Sequence, residues 1–133
     1  FFCTFPYTTI DRWPRRDPFE AVADMVREAP EARIVLLHGG DVDLLRHMQL
    51  VRFNERLLLD LSHTMMKYPG SSIDADVSFL FHHFDRRICI GVDWPQFRHD
   101  EVRARFQHFA CDLDREKALN VAHRNLAAFL GLD

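Results

Sequence analysis

The chain has 133 residues, room for one domain with a hydrophobic core of its own. Apolar residues make up 47% and charged residues 28%, and the net charge of −3 gives no global pull towards nucleic acid or an anionic membrane. No apolar run approaches the ~20 residues of a membrane span, and no signal-peptide pattern stands at the start.

Cys3, Cys89 and Cys111 show no paired metal spacing and read as reduced thiols of a cytoplasmic protein. The first residue is Phe, and Phe1–Phe5 reads as a buried strand without a lead-in, so a start in mid-domain is expected. Pro6 to Arg16 reads as a long loop. Asp17 suits an N-cap, Pro18 a first helical position and Glu20 a capping box, with Phe19, Val22, Ala23 and Val26 on one face. Pro30 ends that helix.

Arg33 to His38 is the clearest strand, a continuous apolar run of the kind buried on both faces in a parallel sheet. Gly39-Gly40 makes a tight exit, and Asp41 is expected to cap a helix carrying Val42, Leu44, Leu45, Met48 and Val51. Leu57 to Ser62 reads as a third strand. A loop through Pro69-Gly70-Ser71-Ser72 leads to a helix with Ile73, Val77, Leu80, Phe81 and Phe84 on one face. Arg87 to Asp93 reads as a fourth strand. Val102, Phe106 and Phe109 recur at helical spacing. A last helix starts at Asp114, runs through Leu119, Ala122, Leu126 and Phe129, and stops at Gly131.

Strands and helices therefore alternate at the cadence of βα units, which implies α/β architecture with a parallel sheet. A complete (β/α)8 barrel takes ~250 residues, so residues 1–133 read as a single domain that is half a barrel. An open four-stranded sheet is the rival, but it would be small for a doubly wound fold. A small doubly wound nucleotide binder is a weaker option still, because no G-x-G-x-x-G fingerprint occurs and Asp41 and Asp43 would repel a phosphate after Gly39-Gly40.

Chemistry in such folds gathers at the carboxyl ends of the strands. His38, the Ser62-His63 pair and Asp93 fall there. Asp93 follows residues suited to burial and needs a partner, a divalent metal or a protonated base, or else it is a turn former. His38 is a candidate ligand, proton shuttle or oxygen-holding group, or a histidine satisfied by a backbone carbonyl. Ser62 and His63, neighbours on a strand, are expected to point to opposite sides, and no Gly-x-Ser-x-Gly elbow surrounds Ser62. Arg12, Trp13, Arg15 and Arg16 form a loop cluster from which one arginine could clamp a carboxylate, although solvated surface is the favoured reading. His82-His83 cannot share a helix face, and His47, His99, His108 and His123 read as surface.

Three segments resemble the amidohydrolase-related family of the amidohydrolase superfamily, which includes aminocarboxymuconate semialdehyde decarboxylase-like and lactonase-like enzymes. Arg33-Ile-Val-Leu-Leu-His38-Gly-Gly is similar to its sixth-strand segment, and Arg87-Ile-Cys-Ile-Gly-Val-Asp93-Trp-Pro95 to its eighth. Asn120-Val-Ala-His-Arg-Asn125-Leu-Ala-Ala-Phe-Leu-Gly-Leu132 resembles its closing helix. The resemblance covers roughly residues 17 to 133 and implies strands five to eight of a TIM barrel.

It further implies that Asp93 ligates a metal or acts as base towards water, and that His38 polarises or protonates the substrate and in some branches ligates the metal. The family's first-strand His-x-His has no counterpart in the chain, and Phe1 to Pro6 offers only Cys3 and Thr4 where the fifth-strand histidine ligand stands. That gap leans towards metal-independent, lactonase-like members.

The expected function is thus a hydrolase, or less readily a decarboxylase, for a small carboxylated or cyclic substrate. Its cofactor would be a divalent metal, zinc by resemblance, with Asp93 and in some branches His38 as ligands. Ser62, His63, Trp94 and Arg12 are the candidate substrate contacts. The alternative is a non-catalytic α/β interaction module or an inactive barrel fragment. Open strand edges and apolar interior residues are expected to face water, which would leave the chain inactive alone, aggregating, pairing with another half or forming a homo-oligomer. No nucleic acid or membrane partner is expected.

Overall fold

The computed structural model describes residues 1–3 and 16–132. Among them, four strands form one sheet, all parallel, in the order β1-β2-β3-β4. They are β1 (Phe2–Cys3), β2 (Ile34–Leu37), β3 (Leu57–Asp60) and β4 (Ile88–Cys89). Ile34 pairs with Leu57, Leu36 with Leu59, and Asp60 with Cys89. Helices α1 (Pro18–Glu28), α2 (Leu44–Phe53), α3 (Thr64–Lys67), α4 (Ser72–His83), α5 (His99–Ala110), α6 (Arg115–Leu119) and α7 (Asn125–Leu130) fill the connections. None is long and apolar enough to cross a membrane.

The α/β class and the parallel sheet follow the sequence expectation, but the strands are shorter. The third ends at Asp60 and the fourth at Cys89. Leu61 N still donates to Cys89 O at 2.9 Å, but Ser62-His63 and Ile90 to Asp93 leave the ladder before the chain turns. Short helix α3 had no counterpart in the sequence reading. Of the expected first strand, Phe1–Cys3 lies within the described residues, and only Phe2–Cys3 is strand. This segment is not buried as expected, since Phe1 is 76% exposed and Cys3 is exposed at the sheet edge. Arg12, Trp13 and Arg15 lie outside the described residues.

Alternation along the strands divides the apolar residues between two faces. Ile34, Leu36, Leu57, Leu59 and Ile88 join Val22, Leu44, Met48, Val51, Val77, Leu80, Phe81, Val102 and Phe109 in the main core. Val35, Leu58 and Cys89 point the other way and pack against Leu37, Leu126 and Phe129. This second face was expected to stand open to water. Instead Val35, Leu58 and Cys89 are 3%, 2% and 2% exposed, because α7 lies across them.

Local chemistry explains the helix ends. The Asp17 carboxylate accepts from Phe19 N at 2.9 Å, with Pro18 in the first turn, and α1 stops before Pro30. Asp114 accepts from Lys117 N at 2.9 Å to start α6. Gly131, at φ 70°, ends α7, where Leu132 N returns to Ala127 O at 3.0 Å. Between α6 and α7 the helix widens to a π-turn at Asn120–Arg124. There Asn120 donates to Asp85 Oδ2 at 2.8 Å, and Asn125 donates to the carbonyls of Asp85 and Ile88 at 2.6 and 2.7 Å. These bonds tie the closing helix to the start of β4.

In α2, the sequence reading differs from the structure in its buried face. Leu44, His47, Met48 and Val51 are buried, whereas Val42 and Leu45 are exposed. His47, expected at the surface, is 1% exposed. Its Nδ1 lies 3.1 Å from Asp43 O, and burial pushes its pKa below the ordinary imidazole value.

Candidate functional site

Each of β2, β3 and β4 delivers a polar side chain to the same rim. His38 follows β2 directly, in a left-handed backbone conformation (φ 65°), and Gly39, Gly40 and Asp41 continue it at φ 59°, 84° and 56°. Only glycine adopts such angles freely, and Gly40 has a second reason to be glycine. A Cβ there would lie 2.0 Å from Nδ1 of the buried His47.

Helix α3 clamps this turn. Thr64 Oγ1 donates to His38 O at 2.5 Å, and Tyr68 OH, just beyond α3, donates to Asp41 Oδ2 at 2.9 Å, with Lys67 Nζ at 3.7 Å. Asp41 is therefore not the expected helix cap. It is fully buried, its φ of 56° turns it inward, and Asp43 precedes α2 without a side-chain cap bond.

Asp60, the last residue of β3, is 5% exposed and lies on the face shared by Val35, Leu58 and Cys89. Ser62 Oγ donates to its Oδ2 at 2.5 Å, and His38 N approaches the same oxygen at 3.5 Å. Cys89 Sγ lies 4.0 Å from Oδ1. Burial pushes the Asp60 carboxyl above the usual carboxylate range, against the opposing hydrogen bonds from Ser62 and His38. The same burial, with the Asp60 charge beside it, raises the Cys89 thiol.

Ser62 also approaches His38, with 3.4 Å between Oγ and Nδ1. On the far side of that imidazole, Nε2 lies 3.9 Å from Oδ1 of Asp93, another residue with left-handed backbone (φ 56°). The His38 and Asp93 side chains are 13% and 28% exposed, so Asp93 is the carboxylate that solvent reaches.

His38, Asp60, Ser62 and Asp93 all line one cavity of about 250 Å³, whose remaining wall includes Val35, Leu37, Cys89, Gly91 and Leu126. Such a volume suits a small molecule or part of one. The strands bearing His38 and Asp93 are not neighbours, since β3 lies between them.

Among the expected substrate contacts, Ser62 is on the cavity wall. His63 and Trp94 are not part of it. The His63 ring sits 5.3 Å from that of His38 and 5.7 Å from that of Phe97. Its pKa is lowered by burial first, then by Lys67 and His38. Ser62 and His63 thus both flank His38, contrary to the strand-based expectation, because β3 has ended before them. Trp94 is 71% exposed, with its ring 6.4 Å from that of His99. Arg12 lies outside the described residues.

Sequence reasoning missed Asp60. Its signal was a charged residue inside Leu57-Leu58-Leu59-Asp60-Leu61, since a carboxylate in a doubly buried run must have partners.

Among the described residues, no three His, Cys, Asp or Glu side chains gather into a metal-holding group. His38 and Asp93 offer two donors where a catalytic zinc takes three from the protein. The described residues alone therefore do not make up a zinc site. A scan against family models finds no match, and no curated protein matches the chain.

Proposed function

We propose that the chain is the carboxyl-terminal part, about strands five to eight, of a (β/α)8 barrel hydrolase of amidohydrolase type. The parallel four-stranded sheet supports this, as do the three motifs that resemble the amidohydrolase-related family. The observation that carries the reading is the approach of His38 Nε2 to Asp93 Oδ1, 3.9 Å apart, above a cavity at the carboxyl ends of parallel strands.

In this reading Asp93 takes a proton from a water molecule as the water oxygen bonds to a substrate carbonyl carbon. The carbonyl oxygen gains charge, and a protonated His38 donates to it through Nε2. When the carbon–nitrogen or carbon–oxygen bond breaks, the leaving atom recovers the proton held at Asp93. A zinc-like ion at His38 and Asp93 would need further ligands from outside the described residues.

The described cavity wall bears no lysine or arginine. A neutral amide or lactone therefore fits it better than an anion, unless Arg12 supplies the clamp for a carboxylate.

The test is hydrolysis of small lactones and N-acyl amides by the protein as its gene encodes it, beside its Asp93→Asn variant. The variant is expected to lose about 10²–10⁴-fold in turnover. Near-normal turnover by Asp93→Asn would overturn the reading.

A further inference from the structure

The buried carboxylate of Asp60 has no part in the bond-making steps above, yet it sits at the head of an ordered row of polar atoms. Ser62 Oγ is 2.5 Å from Asp60 Oδ2, Nδ1 of His38 is 3.4 Å from Ser62 Oγ, and Nε2 of His38 faces Asp93 Oδ1 at 3.9 Å. A hydroxyl has one hydrogen to give and lone pairs to accept with. At 2.5 Å, in the range of hydroxyl–carboxylate bonds, the Ser62 hydrogen belongs to Asp60. With Asp60 ionised, the same oxygen can then meet Nδ1 only as an acceptor, which leaves the hydrogen on Nδ1.

We propose that Asp60 and Ser62 are positioning residues that hold a hydrogen on Nδ1 of His38, so that the ring nitrogen turned to the cavity, a donor when His38 is protonated, is Nε2. The role of a ring nitrogen is set by the hydrogen bond its partner makes. With Nδ1 committed to Ser62, the cavity side of the ring is a donor when His38 is protonated and an acceptor when it is neutral. The protonated state is the one that can hold a carbonyl oxygen in the proposed hydrolysis.

The backbone supports the same alignment. His38 N approaches Asp60 Oδ2, and Thr64 holds His38 O, so the turn at His38 is fixed from both sides. Gly91 leaves space beside this row, since even a Cβ there would come no nearer than 3.6 Å to Ser62 and 3.7 Å to Asp60 Oδ1.

The catalytic part of this inference rests on the proposed hydrolase reading, whereas the hydrogen's location does not. The experiment is therefore spectroscopic. Long-range proton–nitrogen correlation spectra of the ¹⁵N-labelled full chain, at a pH where its imidazoles are neutral, report which ring nitrogen of His38 bears hydrogen. His38→Gln assigns the signal.

The unmodified protein is expected to show hydrogen on Nδ1 and none on Nε2. Ser62→Ala is expected to shift the population towards the Nε2–H form, and Ser62→Thr, which keeps the hydroxyl, to retain the parent pattern. Hydrogen on Nε2 in the unmodified protein would overturn the proposal. That result would mean that a protonated Asp60 donates to Ser62 and Ser62 to Nδ1. A pattern unmoved by Ser62→Ala would overturn it equally. An active Asp93→Asn protein with the expected spectra would remove the hydrolase reading and leave the positioning of His38 standing.

Discussion

His38 and Asp93 face each other across the end of β3, with Nε2 and Oδ1 3.9 Å apart, although they leave strands that do not touch. Each takes a left-handed backbone turn to do so, and both side chains reach the same cavity. If they act as one proton-handling unit, their removal is not additive. Asp93→Asn and His38→Gln are each expected to lower kcat/KM for a hydrolysed probe by about 10²–10⁴-fold. The double variant should fall little below the weaker single. Losses that multiply would show that the two groups act separately.

The turn after β2 predicts a sharp stability effect. Gly40→Ala meets a positive φ of 84° and a collision with the His47 ring. Together these are expected to cost about 2–4 kcal/mol, read as a lowered urea midpoint. Gly70, at φ 78°, has nothing within 4 Å of a Cβ and serves as the control for backbone cost alone.

His47 predicts a pH dependence. Burial holds its folded pKa below the ordinary 6.5, so the unfolded chain binds protons more readily than the folded one. Stability is then fully present above pH 6.5 and is lost as pH falls from there through the lower folded pKa. His63 adds to the same trend, since its pKa is also lowered. Urea midpoints at pH 7.5 and 5.5 are expected to differ less in His47→Leu than in the parent. An equal difference in the two proteins would place the titration elsewhere.

Asn125 predicts a purely structural effect. Its amide donates to two backbone carbonyls, those of Asp85 and Ile88. Asn125→Asp removes both donors and sets a carboxylate against two carbonyl oxygens. The expected loss is about 2–3 kcal/mol in equilibrium unfolding. A loss this size would identify the Asn in the closing-helix motif as a clamp on β4.

What could be read from the sequence differs from residue to residue for physical reasons. His38 and Asp93 stood out because each ends an apolar run, and a polar residue at a strand end is exposed by topology. Asp60 was as visible, but it sits inside its run, and the strand was read through to Ser62. That overrun also assigned Ser62 and His63 to opposite sides. His47 falls at the same helical spacing as Leu44, Met48 and Val51, so its burial was legible from periodicity. The usual exposure of histidine outweighed that signal. Asp41 was hidden more deeply. Its burial depends on consecutive left-handed residues and on Tyr68, and no periodic pattern encodes either.

The left-handed turns at His38 and Asp93 set two demands on the chain against each other. A side chain with a Cβ holds such a conformation at roughly 1–2 kcal/mol per residue, whereas glycine would hold it without that cost. Glycine at either position would relieve that backbone cost while deleting an imidazole or a carboxylate. If the two side chains act as proposed, selection for endurance alone would drift towards an inert protein.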